Sequence, residues 1–208
     1  MPIHLLPRLL ANRRTLALCS GLLLGAAGAT LVAPLPAAAQ QVLNADSEIG
    51  FVSRQMGVPV EGRFRRWSAQ VAFDPKAPQS GRIAFTIETG SATLGVPETD
   101  AEVLKPDWFN AARFPQATFQ SSAIKAVGPG RYEVTGQLSI KGQTQAVTVP
   151  VSLAQTGSGA QLRTTATGAF AIKRLAFRIG EGAWSDTSMV ADDVQVRFRL
   201  TLTGLSAL

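Results

Sequence analysis

Three observations predict an all-β fold, eight antiparallel strands closed into a barrel with a short helical insertion around residues 99–112. Apolar and polar residues alternate at period two through most of the chain beyond Gln41. Clusters of Gly, Pro, Asn and Asp punctuate that alternation at hairpin spacing. The pattern is interrupted once, between Glu98 and Ala112, by helix-start signals beside a dense group of aromatics.

Ile49 to Arg54 reads as the first strand, Gly57 to Gly62 as a turn, and Phe64 to Phe73 as the second strand. Phe64 and Trp67 are three residues apart, so strict alternation cannot bury both, whereas a β-bulge would. Arg82 to Glu88 follows, with Ile83, Phe85 and Ile87 on one face. Thr99-Asp100-Ala101-Glu102 has the capping-box form, and Val103 and Leu104 supply an apolar face. Pro106 limits that helix, and Asp107 can cap another short one carrying Trp108 and Phe109. Strands resume at Phe119 to Val127, Tyr132 to Ile140, Ala146 to Ala154, Leu162 to Lys173 and Val194 to Thr203. In the last of these Val194, Val196, Phe198, Leu200 and Leu202 face inward. Eight such strands close around a lumen wide enough for packed side chains or one ligand, and closure leaves no free edge.

The stretch Asp107 to Phe119 holds Trp108, Phe109, Phe114 and Phe119, more apolar area than a connection usually carries. Burying each is worth roughly 1.5–3 kcal/mol. This segment is expected to plug or lid the β structure.

Met1 to Ala39 reads as a leader outside the fold. Arg8, Arg13 and Arg14 precede an uncharged apolar stretch, and Ala37-Ala38-Ala39 suits cleavage before Gln40. The apolar length would also serve an uncleaved anchor. Arg13-Arg14 leaves both the general secretory and the twin-arginine route open. Cleavage would leave residues 40–208 as one domain, with no stable membrane insertion. The only His and the only Cys, His4 and Cys19, fall in the leader. The remainder would have no imidazole base, thiolate nucleophile, His/Cys metal site or disulfide. Its formal charge would be +3, which gives little support to a nucleic-acid partner.

Phe85, Trp108, Phe109, Phe114, Phe119, Tyr132, Phe170, Phe177 and Trp184 could line a lumen or fill a solid core. Arg63-Phe64-Arg65-Arg66-Trp67 could meet an anionic headgroup or a single strand of nucleic acid, or be the solvated side of a strand. Glu181, Asp186, Asp192 and Asp193 could supply a carboxylate pair for hydrolysis or merely end loops.

Four motifs occur in order: Phe64-x-x-Trp67 before Val71-x-Phe73-Asp74; Trp108-Phe109 leading to Phe114-Pro115-Gln116-Ala117-Thr118-Phe119; Gly136 to Gly142 before Val147 to Val151; and Lys173 to Gly180. Together they resemble the YceI-like family of bacterial periplasmic proteins, from about Val42 to Gly204. The resemblance implies a lipocalin-like barrel in the periplasm whose apolar tunnel carries a polyisoprenoid or similar amphiphilic lipid, with no catalysis, metal or other cofactor. Many members have histidines where this chain has Asp46-Ser47 and Gln55-Met56-Gly57, so no histidine role carries over. On this reading the tunnel is lined by Phe64, Trp67, Phe85, Leu104, Trp108, Phe109, Phe114, Phe119, Leu138, Phe170, Phe177, Ile179 and Trp184. Arg66, Lys173, Arg174 and Arg178 would form a rim for an anionic headgroup. A chain burying roughly 400 Å² would gain about 10 kcal/mol before association costs. An accessory domain docking to a membrane or redox partner stays open as an alternative, as does a homodimer.

Overall fold

The structure, a computed structural model, describes residues 40–208. The predicted leader lies outside the described residues. One antiparallel sheet holds β1 (Gln41–Val42), β2 (Glu48–Gln55), β3 (Val58–Phe64), β4 (Trp67–Ala72), β5 (Arg82–Glu88), β6 (Ala92–Thr93), β7 (Gln116–Gly128), β8 (Arg131–Ile140), β9 (Gln143–Thr156), β10 (Arg163–Lys173) and β11 (Asp193–Thr203). The α-helix α1 (Pro97–Val103) lies between β6 and β7. Neighbours run β4-β5-β7-β8-β9-β10-β11-β2-β3-β6, with β1 added to β11.

The sheet curls because its two ends share one bent strand. β3 pairs with β2 and β4 with β5, yet only Arg65 and Arg66 separate β3 from β4. β5 and β6 bend in the same place, so that Trp67 pairs with Ile87 and Phe64 with Ala92 across a short 3-10 turn at Thr89–Ser91. The corner keeps its backbone satisfied: Arg65 N–H donates to the Ser91 carbonyl (3.1 Å), Glu88 N–H to the Arg66 carbonyl (3.0 Å) and Arg66 N–H to Ser91 Oγ (3.0 Å). This corner, rather than the expected bulge, turns Phe64 inward while Trp67 packs on Phe85. It also corrects the strand count. The structure has eleven strands where the sequence predicts eight, because Val58–Phe64 on the near side of the corner is a strand of its own and Gln41–Val42 and Ala92–Thr93 add two-residue ones.

Three local readings are corrected as well. Val58 to Gly62 is strand, not turn, because Met56 (φ 48°) and Gly57 (φ 81°) reverse the chain in two residues. Pro59 is tolerated there because its partner, Arg54, turns its carbonyl away from β3 to accept from Ala191 N–H at 2.9 Å. The helix begins at Pro97, two residues before the predicted cap, since proline suits the first helical turn. Asp100 instead reaches back to β6, accepting from Leu94 N–H and the Thr93 hydroxyl (both 2.6 Å). Beyond Pro106 the chain forms successive turns and no second helix.

Three inward-facing phenyl rings lie across glycines of the neighbouring strand: Phe51 over Gly62, Phe119 over Gly136 and Phe198 over Gly168. A Cβ on those glycines would come within 2.2, 2.6 and 2.5 Å of the rings. The rings therefore lie against the wall and leave the centre less filled.

Candidate functional site

The inside of the curled sheet is hollow. Ile83, Phe85, Ile87, Phe119, Phe170 and Phe198 all face it, yet each is only half-buried. A filled core would have covered them. An inner cavity of about 160 Å³ is lined entirely by apolar and aromatic residues, from Ile49, Val71 and Phe85 to Leu138, Phe170 and Leu202. Its far end is closed by Phe73 and Tyr132, whose rings meet edge to face at 5.0 Å, and by buried Leu205. The Gln40 side-chain amide pins Phe73 by hydrogen bonds to its carbonyl (2.5 Å) and N–H (2.8 Å).

An outer cavity of about 360 Å³ adjoins the first. Phe64, Phe109, Ile140 and Val196 line both. The outer wall mixes apolar groups (Phe51, Leu94, Trp108, Ile179, Trp184) with Ser53, Gln55, Glu98, Thr99, Glu102 and Arg174. Trp108 and Trp184 pack with ring centroids 5.3 Å apart and planes tilted by 51°, joining the segment after α1 to the one after β10. Trp108 and Phe109, from the stretch expected to plug or lid the β structure, line this outer cavity.

The loop between β10 and β11 is organised by Arg174, which is 1% exposed. Its Nε donates to the Ala191 carbonyl (3.1 Å), Nη1 to those of Ile179 and Gly180 (both 2.8 Å), and Nη2 to those of Trp184 (2.7 Å) and Val190 (2.8 Å). Five carbonyls occupy the whole guanidinium fork. Burial pushes its pKa below the usual arginine value, with Asp192 opposing. The loop is then tied to its neighbours. Gly180 and Glu181 N–H donate to the Asp107 carbonyl (2.7 and 2.9 Å), and buried Lys141 donates from Nζ to the Arg178 carbonyl (2.6 Å) and Glu181 Oε2 (3.0 Å).

Of the thirteen expected lining residues, Phe64, Phe85, Trp108, Phe109, Phe119, Leu138, Phe170, Ile179 and Trp184 border a cavity. Four do not. Trp67 packs on Phe85 at 6.4 Å, and Leu104 packs against the core below α1. Phe177 is 1% exposed within that same core. Phe114 lies against Gly142 at the β8–β9 turn, under the Arg113 guanidinium. Of the four expected rim cations, Arg174 borders the outer cavity and the other three border neither. Arg174 is consumed by carbonyls, while Arg66, Lys173 and Arg178 are exposed and paired with Glu88, Asp193 and Glu181. Sequence reasoning placed Val196, Phe198, Leu200 and Leu202 inward without assigning them to a site; all four border the inner cavity, as do Ile83 and Ile87. Their alternation with polar residues was the available signal.

The late carboxylates do not converge. Glu181 binds Arg178 and Lys141, whose hydrogen bonds, Arg178 foremost, hold it below the usual carboxylate range; Asp186 accepts from Ser188, Asp192 from Leu175 N–H, and Asp193 pairs with Lys173. Among the described residues no group of three His, Cys, Asp or Glu is placed to hold a metal ion.

Residues 41–202 match the model of the YceI-like domain. The chain belongs to the YceI-like family. A crystal structure of Burkholderia cenocepacia BcnA is similar to it at 47% identity and a TM-score of 0.73, covering 77% of this chain and 99% of that one. A UPF0312 protein of Azotobacter vinelandii is 30% identical over 116 residues, 54% of this chain and 60% of that relative's length. The YceI-like fold recurs at 17% identity, TM-score 0.63, in a Saccharophagus degradans domain described as polyisoprenoid binding and implicated in plant cell wall breakdown, covering 79% of this chain and 98% of that domain.

Proposed function

We propose that this YceI-like chain is a non-catalytic carrier that holds one polyisoprenoid or similar amphiphilic lipid. The observation that carries the reading is a hollow interior with a wholly apolar inner cavity opening towards a larger, partly polar one. The tail occupies the inner, closed part, because removing it from water is the main gain. The polar end stays in the outer cavity, where Ser53, Gln55 and Thr99 offer hydrogen bonds. The description of the Saccharophagus domain as polyisoprenoid binding supports the ligand class by analogy of fold. The leader reading of Met1–Ala39 makes the periplasm the place of action, and among the described residues no helix is long and apolar enough to cross a membrane.

Native mass spectrometry of the protein purified from its own cells, followed by denaturing extraction, tests this. A stoichiometric amphiphile released on denaturation is expected. A bare protein that takes up no prenyl or fatty-acyl probe sinks the proposal. The docking reading then gains ground, because Met56 and Val58 stand 69% and 63% exposed at the β2–β3 tip, where Met56 N–H bonds the carbonyl of exposed Met189 (2.8 Å).

A further inference from the structure

We infer that the tip of the β2–β3 hairpin, with Met189 and Val96, forms a rim that docks on a phospholipid bilayer at the mouth of the outer cavity. The inference rests on the lipid-binding reading above and adds the partner with which the cargo is exchanged. Gln55 and Glu98 line the outer cavity and are exposed, so its opening lies between the β2–β3 hairpin and the start of α1. Six large hydrophobic side chains stand exposed among the described residues, and four of them flank this opening. Met56 (69% exposed) follows Gln55, Met189 (43%) precedes Val190, Val58 (63%) is two residues from Val60, and Val96 (49%) lies between Leu94 and Glu98. Every one of those neighbours lines the cavity. The other two, Val127 and Leu208, lie at the β7–β8 hairpin, at the opposite end of β8 from Ile140.

The apolar wall does not stop where the cavity does. Phe64, Val60 and Val58 share one side of β3, and Val58 pairs with Gln55 of β2. Phe64 and Val60 line the cavity while Val58 stands in solvent, so the inward row runs out past the enclosed part. Met56 is fixed beside it, because its N–H donates to the Met189 carbonyl and the Ala191 N–H donates to the Arg54 carbonyl (2.8 and 2.9 Å). Such a mouth keeps an apolar cargo from water only while something apolar covers it. A protein partner fits poorly. Four aliphatic side chains fall short of the ~800 Å² that each side of a stable protein interface buries, and no exposed aromatic ring stands among them as an anchor. A bilayer asks for less, since aliphatic side chains on a short protrusion enter the boundary between headgroups and acyl chains without a matched surface. The exposed charges around the opening offset one another, Arg54 against Glu98 and Asp186. Attachment is therefore apolar, peripheral and insensitive to salt.

The test is co-sedimentation with vesicles of phosphatidylethanolamine and phosphatidylglycerol, run beside uptake of farnesol read by tryptophan fluorescence. Wild type is compared with a rim variant combining Met56→Asn, Val58→Thr, Val96→Thr and Met189→Gln, and with a control carrying Val127→Thr and Leu208→Ser. The rim changes suit the fold: Asn favours the left-handed conformation of Met56 (φ 48°), and Thr keeps the β-branch at Val58 and can cap α1 at Val96. Met56→Asn alone, with a loss of about twofold in vesicle affinity, serves if thermal melts find the combined variant unfolded. Vesicle affinity should fall at least about tenfold in the rim variant and stay within about twofold in the control. Farnesol uptake should be equal in all three, and wild-type vesicle binding should change by less than about twofold between roughly 0.1 and 0.5 M salt. If wild type takes up farnesol yet stays off the vesicles, or the rim variant sediments as wild type does, the docking rim is overturned and the carrier reading survives. Binding that salt abolishes overturns the apolar rim as well. Rim-dependent sedimentation without farnesol uptake keeps the docking surface and removes the carrier reading. Where neither vesicles nor farnesol are bound, both fall together.

Discussion

The inner and outer cavities are enclosed by the same curled sheet, yet they are built by different means. The inner one is made largely by alternation: residues two apart on β5 (Ile83, Phe85, Ile87) and β11 (Val196, Phe198, Leu200, Leu202) point to the same side and are all apolar, while β7 brings in Ala117, Phe119 and Ile124 across a register shift at Ser121–Ala123. The outer one joins the inner faces of β2, β3, β10 and β11 to α1, the turns around Trp108 and the loop from Arg174 to Val190, and its lining mixes charges, hydroxyls and tryptophans. A strand wall can be uniformly apolar because its backbone is paired within the ladder. A loop wall must satisfy its own carbonyls, and the buried Arg174 is how this chain does so. Polarity at one end of the hollow is thus partly a consequence of how that end is closed, and it gives an amphiphile a direction.

The largest expected contrast comes from Arg174→Leu. It strands five carbonyls in the outer wall and touches nothing in the inner one, so it should cost about 3 kcal/mol or more in chemical denaturation. A loss below about 1 kcal/mol would mean that the loop holds itself without the guanidinium. Next, Ala166→Leu fills inner space from the β10 wall. It is expected to weaken lipid binding at least ~10-fold, or 1.4 kcal/mol, while leaving the melting temperature equal or higher. Undiminished binding would place the tail elsewhere. Gly168→Ala tests the wall itself. Its Cβ would come within 2.5 Å of both the Phe198 ring and the Pro150 carbonyl, and a cost of about 1–3 kcal/mol is expected from equilibrium unfolding.

The smallest effect concerns acid. Asp100 ties α1 to β6 beside the outer cavity, and the Thr93 hydroxyl and Leu94 N–H hold its carboxyl below the usual carboxylate range. Its folded pKa lies under its unfolded one. Its contribution is therefore complete above the ordinary carboxylate pKa and fades as pH falls through the lower folded value. Asp100→Asn should flatten part of the acid limb of the stability profile, read by thermal melts across that range. Superimposable limbs would assign the acid sensitivity to other carboxylates.

How far the molecule was legible differs between the same two regions. β5 and β11 could be read from Ile83, Phe85 and Ile87 and from Val194 to Leu202, because side-chain direction in a strand follows from position alone. The Arg65–Arg66 corner was not legible, since a strand that changes partner keeps its alternation. Phe114 and Phe177 look in sequence like Phe109 and Phe119, and only their packing on Gly142 and in the core below α1 takes them out of the lining. Arg174 reads as one more surface cation beside Lys173. Nothing in the spacing says that five carbonyls from residues 179 to 191 will converge on it.

By itself, the sequence determined the all-β class, the inward faces of the long strands and the family. These are local or periodic properties, set by turn chemistry and by which residues alternate. The tertiary structure alone decided that the sheet curls through a shared, bent strand, that Phe64 and Phe109 border both of the adjoining cavities, and that Arg174 is surrounded by carbonyls. Each of those depends on groups far apart in the chain meeting in space, and the energy of such meetings is invisible until the backbone has brought them together.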